Sequence, residues 1–142
     1  FGLGMIAGNL AGGRLAEKGV LRTIGWSLLW NILIMAAFPL LAHNVSTAIF
    51  ATFLIGTSSV LLPALQIRLM DVAKDSQTLA AAMNHSALNI ANAMGAYLGG
   101  MTITLGFGWI STAYVGITLG ATGMVAYLFT VWHTNRHEPD AV

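Results

Sequence analysis

Long apolar runs alternate with short polar segments along this chain. Four runs are long enough to cross a lipid bilayer as helices, namely residues 23–42, 45–66, 79–105 and 109–131. A spanning α-helix needs about 20 apolar residues, because each residue adds about 1.5 Å of length. Residues 1–12 form a shorter apolar run, which we expect to be the end of a truncated helix. The pattern therefore predicts an all-α, polytopic bundle of transmembrane helices.

The polar segments between these runs differ in charge. Every lysine and arginine lies in residues 14–22, in residues 68–74 or in the polar tail, residues 133–142. The turns at residues 43–44 and 106–108 carry no charged side chain. Short cytoplasmic loops of membrane proteins carry an excess of Lys and Arg. We therefore expect both cationic loops and the C-terminus to face the cytoplasm, with the uncharged turns on the opposite side of the membrane.

Composition excludes several other classes of protein. Only 8% of the 142 residues are charged and 56% are hydrophobic, whereas soluble domains carry about 25% charged residues. The chain has no cysteine, which removes disulfides and thiolate metal sites. It has no basic cluster of the kind that binds nucleic acid, and no HExxH motif or Ser/His/Asp arrangement. We expect a lipid-embedded protein that is not an enzyme and has no metal site.

Two sets of glycines recur at helical spacing. The first is Gly4, Gly8 and Gly12, and the second is Gly116, Gly120 and Gly123. Glycines three or four residues apart lie on one face of a helix and let a neighbouring helix approach closely. We expect both faces to pack against other helices.

The run of residues 79–105 is the least apolar of the four, and its polar residues share a face. His85, Asn89 and Asn92 follow helical spacing, and Ala96 and Gly99 continue the same face. Lipid penalises amides and imidazoles, so this face should look at protein or water. The stripe therefore marks a candidate site.

Two interpretations of the stripe stay open. In the functional one, His85, Asn89 and Asn92 line a polar cavity and contact a solute, and His85 can carry a proton because histidine changes charge near neutral pH. In the structural one, a neutral histidine and the amides bond across helices, and Gly95 with Gly99 admits a close neighbour. Asn84 points away from the stripe, and we expect it to serve packing or solvation near the helix start.

Two stretches resemble a known family, the major facilitator superfamily, and most of all its drug or sugar efflux branch of arabinose-efflux-like permeases. GGRLAEKGVLRT (Gly12–Thr23) is similar to the family's cytoplasmic loop motif G-x-L-A-D-R-x-G-R-R, and LAAAMNHSALNIANAMGAYLGG (Leu79–Gly100) resembles the penultimate helix of that branch. The resemblance implies a fragment of the C-terminal half of a twelve-helix transporter: the end of helix eight and helices nine to twelve. The N-terminal half would be its missing partner.

The resemblance also implies that the first cationic loop helps to hold one gate state of the transporter. The positions that match or nearly match the family motif are Gly13, Glu17, Lys18 and Arg22. Glu17 stands where the family favours Asp, and Lys18 stands where it favours Arg. We hypothesise that Glu17 pairs with Arg68, because both lie on the predicted cytoplasmic face.

The function implied by the resemblance is secondary transport in a bacterial inner membrane. The expected activity is proton-coupled efflux of a small organic solute, a drug or a sugar, by alternating access. No cofactor is expected apart from the proton gradient as driving force. The alternative is a small structural or assembly subunit of the membrane, which would use its glycine faces for oligomer contacts. A membrane enzyme that uses His85 would lack a second catalytic group.

Overall fold

The computed structural model describes residues 1–137, and these residues form helices joined by tight turns. The α-helices are α1 (Gly2–Ala16), α2 (Val20–Leu41), α3 (Val45–Thr57), α4 (Leu61–Ala73), α5 (Gln77–Thr102) and α6 (Ser111–His137). No strand occurs among the described residues. The predicted all-α fold is confirmed.

A three-residue turn joins α1 to α2. Gly19 has a φ of 151°, a value that glycine adopts without the steric cost that a side chain would bring. The hydroxyl of Thr23 donates to the Gly19 carbonyl at 2.9 Å and closes the first turn of α2. Because α2 begins at Val20, Arg22 lies inside the helix rather than in a loop before it.

The second apolar run is a broken helix. A 3₁₀ turn, Ser58–Val60, separates α3 from α4, and Pro63 follows in the first turn of α4. Proline has no backbone N–H to donate to the preceding turn and its ring crowds that turn, which explains a break just before it. The second apolar run is therefore interrupted just before Pro63.

Helix α4 continues to Ala73, and the chain then reverses. Lys74 has a φ of 45°, which ends α4, and α5 returns along α4, as shown by a hydrogen bond from the Asn84 side chain to the Gln66 side chain. At its far end α5 passes through a π-helical turn, Ile103–Phe107, and Gly106 and Gly108 take positive φ values of 87° and 76°. These glycines allow the sharp entry into α6.

Within residues 1–137, three helical stretches are long and apolar enough to cross a membrane. They are Val20–Leu41, Val45–Phe107 and Ser111–Arg136. The middle stretch has 63 residues and contains the reversal at Lys74, so it folds into two antiparallel arms. These arms correspond to the second and third runs of the sequence.

The last helix extends into the segment that we assigned to the tail. Helix α6 ends at His137, and the Arg136 guanidinium lies 4.1 Å from the centre of the Trp132 ring, a cation–π contact one turn apart on the helix. The remainder of the predicted tail, residues 138–142, lies outside the described residues.

The glycine face of α1 packs directly on α3 and α4. Gly4, Gly8 and Gly12 are buried. A Cβ at Gly8 would lie 2.5 Å from the Ser59 Oγ, and one at Gly12 would lie 2.7 Å from the Val60 carbonyl oxygen. These distances leave no room for a side chain, so the predicted close packing is confirmed.

The glycine face of α6 packs on α2 in the same way. A Cβ at Gly120 would lie 2.9 Å from the Ile32 side chain, and one at Gly116 would lie 2.8 Å from the Met35 sulfur. The second glycine set is therefore also a packing face, as expected. Helix α2 is the central element, since it contacts α6 on one side and α3 and α4 on the other.

Candidate functional site

A cavity of about 400 Å³ opens between α1, α4 and α5. Its walls combine apolar residues with four polar side chains, and its lining consists of Asn9, Leu62, Pro63, Gln66, Ile67, Asn84, His85 and Leu88. Three helices contribute to it, so its shape depends on how α1 and α5 pack against α4.

Local structure brings each polar group to the cavity. Asn9 follows Gly8, whose contact with α3 and the 3₁₀ turn holds α1 close. Gln66 comes about one turn after Pro63, on the arm of the broken helix that faces α5. Asn84 and His85 lie about two turns into α5, after the reversal at Lys74.

The cavity offers hydrogen-bond donors and acceptors without a fixed charge from a carboxylate, Lys or Arg. Three carboxamides and one imidazole line it, and an amide supplies both an acceptor oxygen and two donor protons. The Asn84 amide donates to the Gln66 oxygen at 3.4 Å, which is longer than the usual range of about 2.7–3.2 Å. A weak bond of this kind leaves both amides able to bind a neutral polar solute.

Sequence reasoning placed His85 at a candidate cavity but missed Asn9 and Gln66. Neither residue belongs to a polar stripe, since each is a single amide at the edge of an apolar run. We expected Asn84 to serve packing, and its bond to Gln66 agrees with that expectation. The structure also places Asn84 next to His85 in the lining of the cavity.

The rest of the predicted stripe lies outside this cavity. Asn89 and Asn92 are exposed, and within residues 1–137 neither amide makes a hydrogen bond. A Cβ at Gly95 would meet nothing within 4 Å, and one at Gly99 would make ordinary contact with Thr112 at 3.5 Å. Among the described residues, the close neighbour that the structural interpretation requires at Gly95 is absent. A role of Asn89 and Asn92 in solute contact stays a prediction.

The cationic turn between α1 and α2 faces the end of α4. A cleft of about 300 Å³ lies between them, lined by Lys18, Gly19, Val20, Leu21, Arg22, Arg68 and Asp71. Gly13 and Glu17 do not line this cleft, and the part of the chain described here contains no ion pair between Glu17 and Arg68. Asp71 is the carboxylate that shares the cleft with the cations. The Glu17–Arg68 pair and the gating role of the turn stay predictions.

The described residues offer no metal centre. No group of three or more His, Asp or Glu side chains between residues 1 and 137 comes together closely enough to hold a metal ion.

Comparisons with known proteins agree on one family. A sequence model of the Major Facilitator Superfamily matches residues 1–141. The chain is 33% identical over 142 residues to the inner membrane transport protein YdhP of Escherichia coli K12, covering 99% of this chain and 36% of that protein. It is 35% identical over 132 residues to the uncharacterized MFS-type transporter YfhI of Bacillus subtilis, covering 91% of this chain and 33% of that protein.

A third relative belongs to the same group. The putative transporter AraJ of Escherichia coli K12 is 31% identical over 131 residues, covering 89% of this chain and 33% of that protein. The chain thus spans about a third of the length of the curated relatives that it matches. No solved structure matches the chain.

Proposed function

This chain belongs to the Major Facilitator Superfamily, whose members are membrane transporters rather than enzymes, and we propose that it forms part of a proton-coupled exporter of a small organic solute. The solute is a drug-like or sugar-like molecule, and export proceeds by alternating access of a site near the middle of the membrane. The chain acts together with the remaining helices of the transporter, in a bacterial inner membrane and with a cytoplasmic C-terminus. The resemblance to efflux permeases and the name of the Escherichia coli inner membrane relative support this proposal.

The cavity between α1, α4 and α5 is the observation that carries the proposal. Polar side chains within a membrane are costly and usually face a protein interior or a water-filled path. Here four of them meet in one cavity whose other walls are Leu62, Pro63, Ile67 and Leu88. Such a mixture suits a neutral organic molecule that has an apolar body and a few hydroxyl or amide groups.

His85 is the ionisable side chain that lines this cavity. Because histidine changes charge near neutral pH, it is suited to respond to a proton that is exchanged for solute. We assign it an accessory role in proton coupling. The main proton carrier belongs to the remaining helices, since no carboxylate lies in the apolar runs of this chain.

The packing of the glycine faces argues against the alternative of an assembly subunit. That alternative needs the glycines of α1 and α6 for contacts between chains. Both faces are already used within this chain, because α1 packs on α3 and α4 and α6 packs on α2.

Transport by the full-length protein in proteoliposomes tests the proposal. With an imposed proton gradient, His85→Ala should lower the initial rate of solute movement by about tenfold, which corresponds to the loss of about one hydrogen bond to the solute. The matched control is His43→Ala, because His43 lies in the turn after α2 and does not line the cavity. Equal rates for His85→Ala and the unmodified protein, or a rate that is independent of the gradient, would contradict the proposal.

A further inference from the structure

A second groove, of about 460 Å³, lies between α1 and α2 and begins at the turn that joins them. Its lining consists of Leu15, Lys18, Gly19, Arg22, Thr23, Trp26, Ser27, Trp30 and Val60. It shares no residue with the cavity that contains His85. It is therefore a separate feature of the bundle.

The polar atoms along the floor of this groove are already occupied. The Thr23 hydroxyl donates to the Gly19 carbonyl at 2.9 Å, and the Ser27 hydroxyl donates to the Thr23 carbonyl. The indole N–H of Trp30 donates to the Thr57 hydroxyl at 2.9 Å. With these donors used, the floor presents aromatic and aliphatic surface, which suits a hydrocarbon chain better than a polar solute.

The end of the groove beside the turn is cationic. Lys18 and Arg22 are exposed there, and no carboxylate lines the groove with them. Neither side chain makes an ion pair within residues 1–137. They stand at the N-terminal end of α2, where the helix dipole also favours an anion.

Trp26 adds a free donor close to these cations. Its side chain is 72% exposed, and its indole N–H makes no hydrogen bond among the described residues. Tryptophan is enriched where the headgroups of a membrane meet its hydrocarbon core. The groove thus has a cationic end at headgroup level and an apolar length beyond it.

We propose that this groove binds one anionic phospholipid, with its phosphate held by Lys18 and Arg22 and an acyl chain along Trp26 and Trp30. Charge complementarity selects this occupant. A further apolar helix would leave both cations without a partner. A zwitterionic lipid would bring its own positive charge close to them. The proposal concerns lipid binding alone and does not depend on which solute is transported.

Thermal unfolding of the full-length protein, purified in detergent and stripped of lipid, tests the preference. We expect phosphatidylglycerol to raise the unfolding midpoint in a saturable manner, since a ligand that binds only the folded state stabilises it. Phosphatidylcholine with the same acyl chains and glycerol phosphate without acyl chains should have little effect. An equal rise with phosphatidylcholine, a rise with glycerol phosphate alone, or no rise with phosphatidylglycerol would overturn the proposal.

Charge variants locate the effect at the groove. Lys18→Gln with Arg22→Gln should weaken the apparent affinity for phosphatidylglycerol by about thirty-fold, the factor expected for two cations near an anionic headgroup. Arg14→Gln is the matched control, because Arg14 is an exposed cation of the same segment that does not line the groove. If the control weakens binding as much as the double variant does, the effect is general electrostatics and the proposal fails.

A fluorescence measurement keeps the proposal testable if the double variant does not fold. Phosphatidylglycerol brominated on its acyl chains quenches tryptophan that it touches. We expect quenching to saturate with the same affinity as the thermal shift and to fall markedly in Trp26→Phe, but not in Trp132→Phe, because Trp132 lies on α6 and does not line the groove. Unchanged quenching in Trp26→Phe would place the lipid elsewhere and would overturn the proposal.

Discussion

Helices α1 and α5 both carry glycines four residues apart, and they use them differently. On α1, the Gly4, Gly8 and Gly12 face is buried against the backbone of α3 and of the 3₁₀ turn that follows it. On α5, a Cβ added at Gly95 would have no neighbour within 4 Å, and Asn89 on the same helix is exposed. Equal spacing of small residues therefore does not indicate equal packing. The α1 face holds this part of the bundle together, whereas within the described residues the α5 face is open at Gly95 and makes only ordinary contact at Gly99.

The largest effect that separates the two faces concerns stability. Gly8→Ala places a Cβ only 2.5 Å from the Ser59 Oγ and 2.6 Å from the Thr57 carbonyl oxygen. Because the carbonyl belongs to the backbone and cannot rotate away, we expect α1 to move and the free energy of unfolding to fall by about 1–3 kcal/mol. Denaturant or thermal unfolding of the full-length protein in detergent measures this change.

Gly95→Ala is the matched control on α5. Open space surrounds the new methyl group, and alanine favours a helix over glycine by about 0.5–1 kcal/mol. We expect unchanged or slightly increased stability. A loss as large as that of Gly8→Ala would show that the remaining helices of the transporter cover Gly95 closely, and the contrast between the two faces would disappear.

The second test asks what the open face of α5 meets. The thiolate form of cysteine reacts with a maleimide, and it forms in water rather than in lipid. In a cysteine-free background, we expect Asn89→Cys to react with a water-soluble maleimide about tenfold faster than Ile90→Cys, as follows from the need for the ionised thiol. Ile90 is the matched control, because it is also exposed on α5 but points about 100° around the helix.

Slow labelling at both positions would mean that Asn89 faces lipid or a packed helix. In that case the stripe would be a seam between helices, and the structural interpretation would hold. Protection of Asn89→Cys by a transported solute would extend the cavity of His85 along α5.

The smallest effect concerns the amide bond that joins α4 to α5. The Asn84–Gln66 hydrogen bond is long, at 3.4 Å, so Asn84→Ala should lower the free energy of unfolding by less than about 1 kcal/mol. The same change removes a cavity donor, and we expect it to weaken apparent solute affinity more than it weakens folding. Parallel unfolding and transport assays compare the two losses. A stability loss as large as that of Gly8→Ala would contradict this assignment.

Much of the architecture followed from the pattern of residues. Apolar runs predicted the helices, because only segments that satisfy their own backbone hydrogen bonds can cross a membrane. The glycine spacing of α1 and α6 predicted close packing. The predicted helix boundaries were less accurate. The second apolar run was predicted to end at residue 66, but α4 extends to Ala73. Residues of a cationic loop can continue a helix until one of them, here Lys74, leaves helical geometry.

The candidate site was predicted only in part. His85 stood out because it is ionisable and lies on a polar face, and the structure places it at a cavity. Asn9 and Gln66 carried no comparable signal, since each is a single amide in its own helix. Their proximity to His85 depends on how α1, α4 and α5 are rotated and offset against each other.

The sequence by itself determined the class of this protein: a membrane-embedded helical chain of the Major Facilitator Superfamily, with its Lys and Arg residues confined to alternate polar segments. Hydrophobicity, charge and motif are local properties that do not depend on which helices meet. Only the tertiary structure decided that the glycines of α1 are packed while Gly95 of α5 is not, and that four polar residues from three helices share one cavity. Contacts between helices depend on rotation and offset, and spacing along one helix does not specify either.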